Sequence, residues 1–90
     1  MSRYTVEFVG TFVFFFSILI SSRAVGPKLA PVLFSSVLAL VASLGGGDYN
    51  PAVSVMTAWS TKNPAVLIRI IPQVIAGILS YEAAKMLKLV

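Results

Sequence analysis

GGGDYNPAVSVMTAWSTKNPAV, residues Gly45 to Val66, carries the tripeptide Asn-Pro-Ala twice, at Asn50 and at Asn63, thirteen positions apart. Asn is a strong helix N-cap, and Pro suits the first helical position, where its missing N–H has no intrahelical partner to lose. Each tripeptide therefore reads as a helix start. The first follows three glycines that end the helix before them, and Ala52 to Ser60 can continue the helix it opens. About nine residues give roughly 13 Å, near half the hydrocarbon thickness of a bilayer. Such a segment enters a membrane without crossing it. Irregular backbone at that depth persists only when buried in protein or lining a wet cavity.

The flanking sequence has the composition that this reading requires. The chain of 90 residues is 58% hydrophobic and 11% charged, with a mean hydropathy of +0.94. Soluble domains carry about 25% charged residues, so lipid is the better-matched solvent. Residues 4–22 (YTVEFVGTFVFFFSILISS) form an apolar run of roughly 28 Å as a helix, enough to cross a hydrocarbon core. Arg3 and the Ser22-Arg23-Ala24 triplet lend this run the look of a signal peptide, but Glu7 interrupts its apolar region, and a first transmembrane helix is the preferred reading. RAVGPK (Arg23 to Lys28) is a turn, and residues 29–44 form a second, shorter apolar run. Residues 45–60 are the re-entrant loop and half-helix. Residues 64–87 form a third span, which Pro72 should kink or soften. The expected fold class is thus an all-α membrane protein with three transmembrane helices and one re-entrant half-helix. Tyr4 and Trp59 then fall at one interface and Tyr81 near the other.

The residue inventory narrows the function. With neither Cys nor His, the chain has no thiolate nucleophile, zinc site or imidazole base. Its acids, Glu7, Asp48 and Glu82, are too far apart in sequence to suggest a catalytic carboxylate pair. An enzyme is not expected, nor is a cofactor. The net charge of +4 sits on chain ends and loops, which points to lipid headgroups rather than nucleic acid.

Three motifs in order resemble the aquaporins, the major intrinsic protein family. EFVGTFVFF (Glu7 to Phe15) is similar to the opening of their first helix, GGGDYNPAV (Gly45 to Val53) to their first pore loop, and QVIAG (Gln73 to Gly77) to part of their third helix. The resemblance covers nearly all of this chain but only the first half of that fold. It implies a half-helix cap at Asn50, Pro51 and Ala52, with Asn50 as hydrogen-bond donor to a passing solute. Glu7, Gly46, Asp48 and Gln73 would support the loop, with Glu7 accepting from loop backbone. The second tripeptide does not carry over: Asn63-Pro64-Ala65 starts the third helix, and no Asn-Pro-Ala-Arg occurs in the chain. Asp48 stands where many relatives carry His; it either caps the loop through backbone N–H groups, the preferred reading, or is a solvated loop acid.

Other residues carry packing expectations. Glu7 and Arg69 should share a depth and pair. Ser35, Ala39 and Ser43, and on the third span Ala76, Gly77 and Ser80, are small residues expected to let the second and third spans pack closely; Gly10 is a further close-approach position on the first helix. The Phe-rich face of that helix (Phe8, Phe12, Phe15, Phe16) is expected to meet lipid, and Phe34 to be a lipid-facing or packed residue. Two functions follow. One is a channel for water or small neutral solutes, formed by an antiparallel homodimer or with a partner chain. The other is a non-transporting structural subunit of a larger assembly, either a multi-subunit membrane complex or the membrane or capsid layer of a virion. Lipid and other membrane subunits, including further copies of the chain, are the expected partners under both.

Overall fold

The computed structural model describes residues 2–90. Among these it is all helical: α1 Arg3–Val25, α2 Ala30–Gly45, α3 Pro51–Thr61, a 3-10 segment Pro64–Arg69, and α4 Ile70–Met86. Two stretches, Arg3–Val25 and Pro64–Met86, are each long and apolar enough to cross a membrane; Ala30–Gly45 is apolar but shorter.

α1 is the central element. α4 packs along one side of it and α2 along another, while α3 lies on the 3-10 segment and the start of α4. The 26–29 turn folds α2 back antiparallel to α1, so Arg3 at the start of α1 reaches the Gly46 carbonyl past the end of α2 (Nη1 to O, 2.9 Å). α4 runs parallel to α1. Glu7 meets Gln73 near their N-terminal ends, and Arg23 meets Lys88 at the other.

Each helix ends for a local reason. Gly26 and Gly46 close α1 and α2 with positive φ, 83° and 67°, where a Cβ would be strained. α3 closes on Lys62, φ 55°, with the Asn63 N–H donating back to the Ala58 carbonyl at 3.1 Å. This is the left-handed cap usually given to Gly. Asn50 and Asn63 open their helices identically, each side-chain Oδ1 accepting from the amide two residues on, at 2.8 Å and 3.2 Å. The span expected over 64–87 is divided. Pro72 has no N–H for the Ile68 carbonyl, and its ring would crowd it in an α-helix. The chain tightens into 3-10 geometry through Arg69, which places Pro72 in the first turn of α4.

The expected packing of the second span against the third is corrected. α2 and α4 do not touch; each packs on α1. Ala76 and Ser80 are fully buried, whereas Ser35, Ala39 and Ser43 on α2 are exposed. Small side chains permit close approach without specifying the neighbour, and α1 lies between the two. The Phe face of α1 is half-buried. Phe8, Phe12 and Phe16 stack in a half-buried column, with centroids 6.5 and 5.9 Å apart. Phe15 covers Gly77, where an added Cβ would sit 3.6 Å from the ring, and Phe14 meets Phe34 edge-on at 6.5 Å.

Candidate functional site

The site is built where the 46–50 loop descends onto α1. Glu7, on the second turn of α1, is fully buried. Its Oε1 accepts from the Asp48 N–H at 2.7 Å, and its Oε2 from the Tyr49 N–H at 3.0 Å. Gln73 on α4 donates to the same Oε2 through Nε2 at 2.9 Å. Three donors thus converge on one carboxylate, the condition under which a buried anion is tolerated.

The network continues from Gln73. Its second Nε2 hydrogen goes to Ser54 Oγ at 2.8 Å, and Ser54 passes its own hydroxyl hydrogen to Asp48 Oδ2 at 2.8 Å. Arg69 Nη1 donates to that same oxygen at 3.1 Å. The order of donors fixes the amide orientation, because turning Gln73 over would set its carbonyl oxygen against the Glu7 carboxylate. Loop, α1, α3 and α4 are therefore tied by one continuous run: Glu7, Gln73, Ser54, Asp48, Arg69.

Two sequence expectations are corrected here. The pair Glu7–Arg69 is not formed: loop amides and Gln73 occupy the Glu7 carboxylate, and Arg69 bonds Asp48 instead. Asp48 does not cap loop amides. Its carboxylate takes the Ser54 hydroxyl and the Arg69 guanidinium, while its own N–H serves Glu7. Arg3 lies 4.0 Å from Glu7 Oε1, at the limit of an ion pair. Gly46 supports the loop as the left-handed end of α2 and through its carbonyl to Arg3.

Tyr49 and Ser54 carried no assigned role in the sequence reading, and both are central. Tyr49 is 1% exposed and sits at φ 61°, a conformation rare for a bulky residue. Its ring fills a slot formed by Gly10, Gly45 and Gly47, at each of which an added Cβ would overlap ring or hydroxyl. The hydroxyl accepts from the Gly47 N–H at 3.0 Å and donates to the Val41 carbonyl at 3.2 Å. A glycine inside α1, where it costs about 1 kcal/mol relative to Ala, was the available signal. For Ser54 it was a hydroxyl one turn into an apolar half-helix.

The site presents Asn50 at its head. With Oδ1 used by the Ala52 N–H, Nδ2 has no hydrogen-bond partner among the described residues, and Asn50 is half-buried. Pro51 and Ala52 begin α3 directly behind it. Asn63, with the same local cap, is exposed and opens the 3-10 segment. α3 and that segment form a hairpin, so Asn50 and Asn63 lie at opposite ends of α3.

The ion pair gives a direct stability test. The Asp48 and Arg69 side chains are only 13% and 23% exposed. Arg69→Met, which strands Asp48 with Ser54 alone, should cost about 2 kcal/mol, and adding Asp48→Asn should recover most of it, since exchanging both partners removes the stranded charge. Thermal unfolding in detergent micelles measures both. A double variant no more stable than Arg69→Met alone would disprove the coupling.

Comparison with family models, with curated proteins and with solved structures finds no match to this chain.

Proposed function

We propose that this chain is an integral membrane protein with three spans and one re-entrant half-helix, and that it forms half of a channel for water or small neutral solutes. The observation that carries the reading is Asn50. It caps a half-helix of 11 residues, Pro51–Thr61, and its Nδ2 is left free while a buried network holds the loop behind it. A donor held at a helix N-terminus, where the backbone dipole is positive, favours a passing oxygen and disfavours a cation. The longest dimension of the fold, 41 Å, is comparable to the roughly 40–45 Å of a bilayer with its headgroups. Tyr4, Trp59 and Tyr81 are exposed, as interfacial aromatics would be. The resemblance of Glu7, Asn50-Pro51-Ala52 and Gln73 to the aquaporin pattern supports the same reading.

One half-helix does not enclose a pore. A facing half-helix must come from an inverted second copy or from a partner chain. Osmotic swelling of liposomes containing the purified protein tests the homodimeric form. Water permeability should exceed that of empty liposomes. Asn50→Asp should lower it on the order of tenfold, because losing a hydrogen-bond donor in a water-poor site costs about 1–3 kcal/mol. Permeability equal to that of empty liposomes, with folded dimeric protein present, ends the homodimer reading. Single cysteines at Ser2 or Val90 report orientation, since the chain has no native Cys; labelling from one side only would exclude insertion both ways.

A second reading, a structural subunit that conducts nothing, is favoured by one observation. The exposed face of α2 bearing Ser35, Ala39 and Ser43 is left open by the fold, and small residues of this kind suit close approach by another transmembrane helix.

A further inference from the structure

The parallel course of α1 and α4 brings four basic residues to one end of the molecule. Arg23 lies on the last turn of α1 and Lys85 on the last turn of α4. Lys28 lies in the turn before α2, and Lys88 lies two residues past the end of α4. All four are exposed, and among the described residues no salt bridge joins any of them to an acid. At the opposite end the cations are largely engaged: Arg69 by Asp48, and Arg3 by the Gly46 carbonyl and the neighbouring Glu7. Lys62 there has no ion-pair partner among the described residues.

Helix dipoles do not absorb this charge. Each helix C-terminus presents roughly half a negative charge, and the start of α2 returns half a positive one. Glu82 is the one acidic side chain near this end of α4. Against four cations these, together with the carboxylate on Val90, leave an excess of about one to two positive charges.

Local geometry organises the group. The Leu89 N–H donates to the Ala84 carbonyl at 2.8 Å and the Lys88 N–H to the Lys85 carbonyl at 3.0 Å, with Lys88 at φ 59°. This left-handed cap turns the Lys88 carbonyl toward α1, where Arg23 Nη1 binds it at 2.8 Å. Arg23 is thereby pinned, with its other N–H groups still free for a phosphate oxygen. Exposed Val25, Leu29, Met86 and Leu87 lie beside the cations. A soluble polyanion would leave these apolar side chains in water. A phospholipid satisfies both, with its phosphate on the cations and its acyl chains against the collar.

We propose that this end is a docking surface for the phosphate of anionic phospholipids, with Arg23 as its fixed donor and Lys28, Lys85 and Lys88 as mobile ones. The proposal rests on the membrane placement above and is independent of conduction.

The test is lipid selection from a mixed bilayer. The protein is reconstituted into nanodiscs of phosphatidylcholine with a minority of phosphatidylglycerol, extracted gently, and its retained lipid read by native mass spectrometry. Phosphatidylglycerol should be enriched over its bulk fraction. Enrichment should fall on the order of fivefold for each of the cations Arg23, Lys28, Lys85 and Lys88 changed to Gln, and should survive Lys62→Gln. Inorganic phosphate added at constant ionic strength should leave it in place. Retention at the bulk ratio in the wild type overturns the proposal without need of any variant. So does equal loss from variants at the two ends, or displacement by free phosphate, which would mark a soluble-anion site. Failure to enter nanodiscs at all would instead count against the membrane placement.

Discussion

Glu7→Ala is expected to release the loop that carries Asn50, at a cost of about 3–5 kcal/mol. The carboxylate is the common acceptor for the Asp48 and Tyr49 amides and for Gln73 Nε2. Alanine would leave three donors without a partner in a site where Glu7 is fully buried. Each would bear a desolvation penalty that no solvent repays. Glu7→Gln separates shape from acceptor capacity. Its single oxygen can serve Asp48 or the Tyr49–Gln73 pair, while its NH2 opposes the other, so a loss of about half that of alanine is expected. Thermal unfolding in micelles gives the energies, and hydrogen exchange at the Asp48 and Tyr49 amides gives the location. Wild-type protection at both amides in Glu7→Ala would show that the carboxylate does not hold the loop.

The elements of this site differed in how far they could be read from sequence. α3 was legible because Asn50, Pro51 and the preceding glycines act within a few residues of one another. The expected start and end of the half-helix lie within a residue of Pro51–Thr61. α1 and α2 were legible from apolar length and from glycine and proline punctuation. The partner of Arg69 was not. The guanidinium of Arg69, on the third apolar run, was matched to Glu7 by expected depth alone. What decided the matter was non-local: backbone amides 41 and 42 residues along the chain had already filled the Glu7 carboxylate. Helix neighbours failed for a similar reason. Ser35, Ala39 and Ser43 mark a surface that can be approached closely, but only the fold shows that α1 turns toward α4's small residues and leaves those of α2 open.

The 3-10 segment adds a link between these levels. By tightening Pro64–Arg69, the chain accommodates Pro72 and sets Gln73 where it reaches both Glu7 and Ser54. A proline readable from sequence thus shapes a network that is not. That network in turn fixes α3, the helix on which the proposed channel reading depends.

Gly10→Ala should be destabilising by about 1–3 kcal/mol or more, although alanine is the better helix former by about 1 kcal/mol. Steric overlap outweighs propensity here because the obstacle is rigid. The added Cβ would overlap the Tyr49 ring, which is held by hydrogen bonds at its hydroxyl and by the left-handed backbone at its Cα. Gly77→Ala is the matched control. Its Cβ would meet Phe15 at an ordinary 3.6 Å, so the change should be neutral or mildly stabilising. The decisive comparison removes the ring. Tyr49→Ala is itself costly, by about 3–5 kcal/mol for a buried aromatic, but in that background Gly10→Ala should reverse sign and stabilise. Unfolding of the four proteins in the same micelles forms a double-mutant cycle. If Gly10→Ala costs as much without the ring as with it, Tyr49 is not what α1 reserves that glycine for.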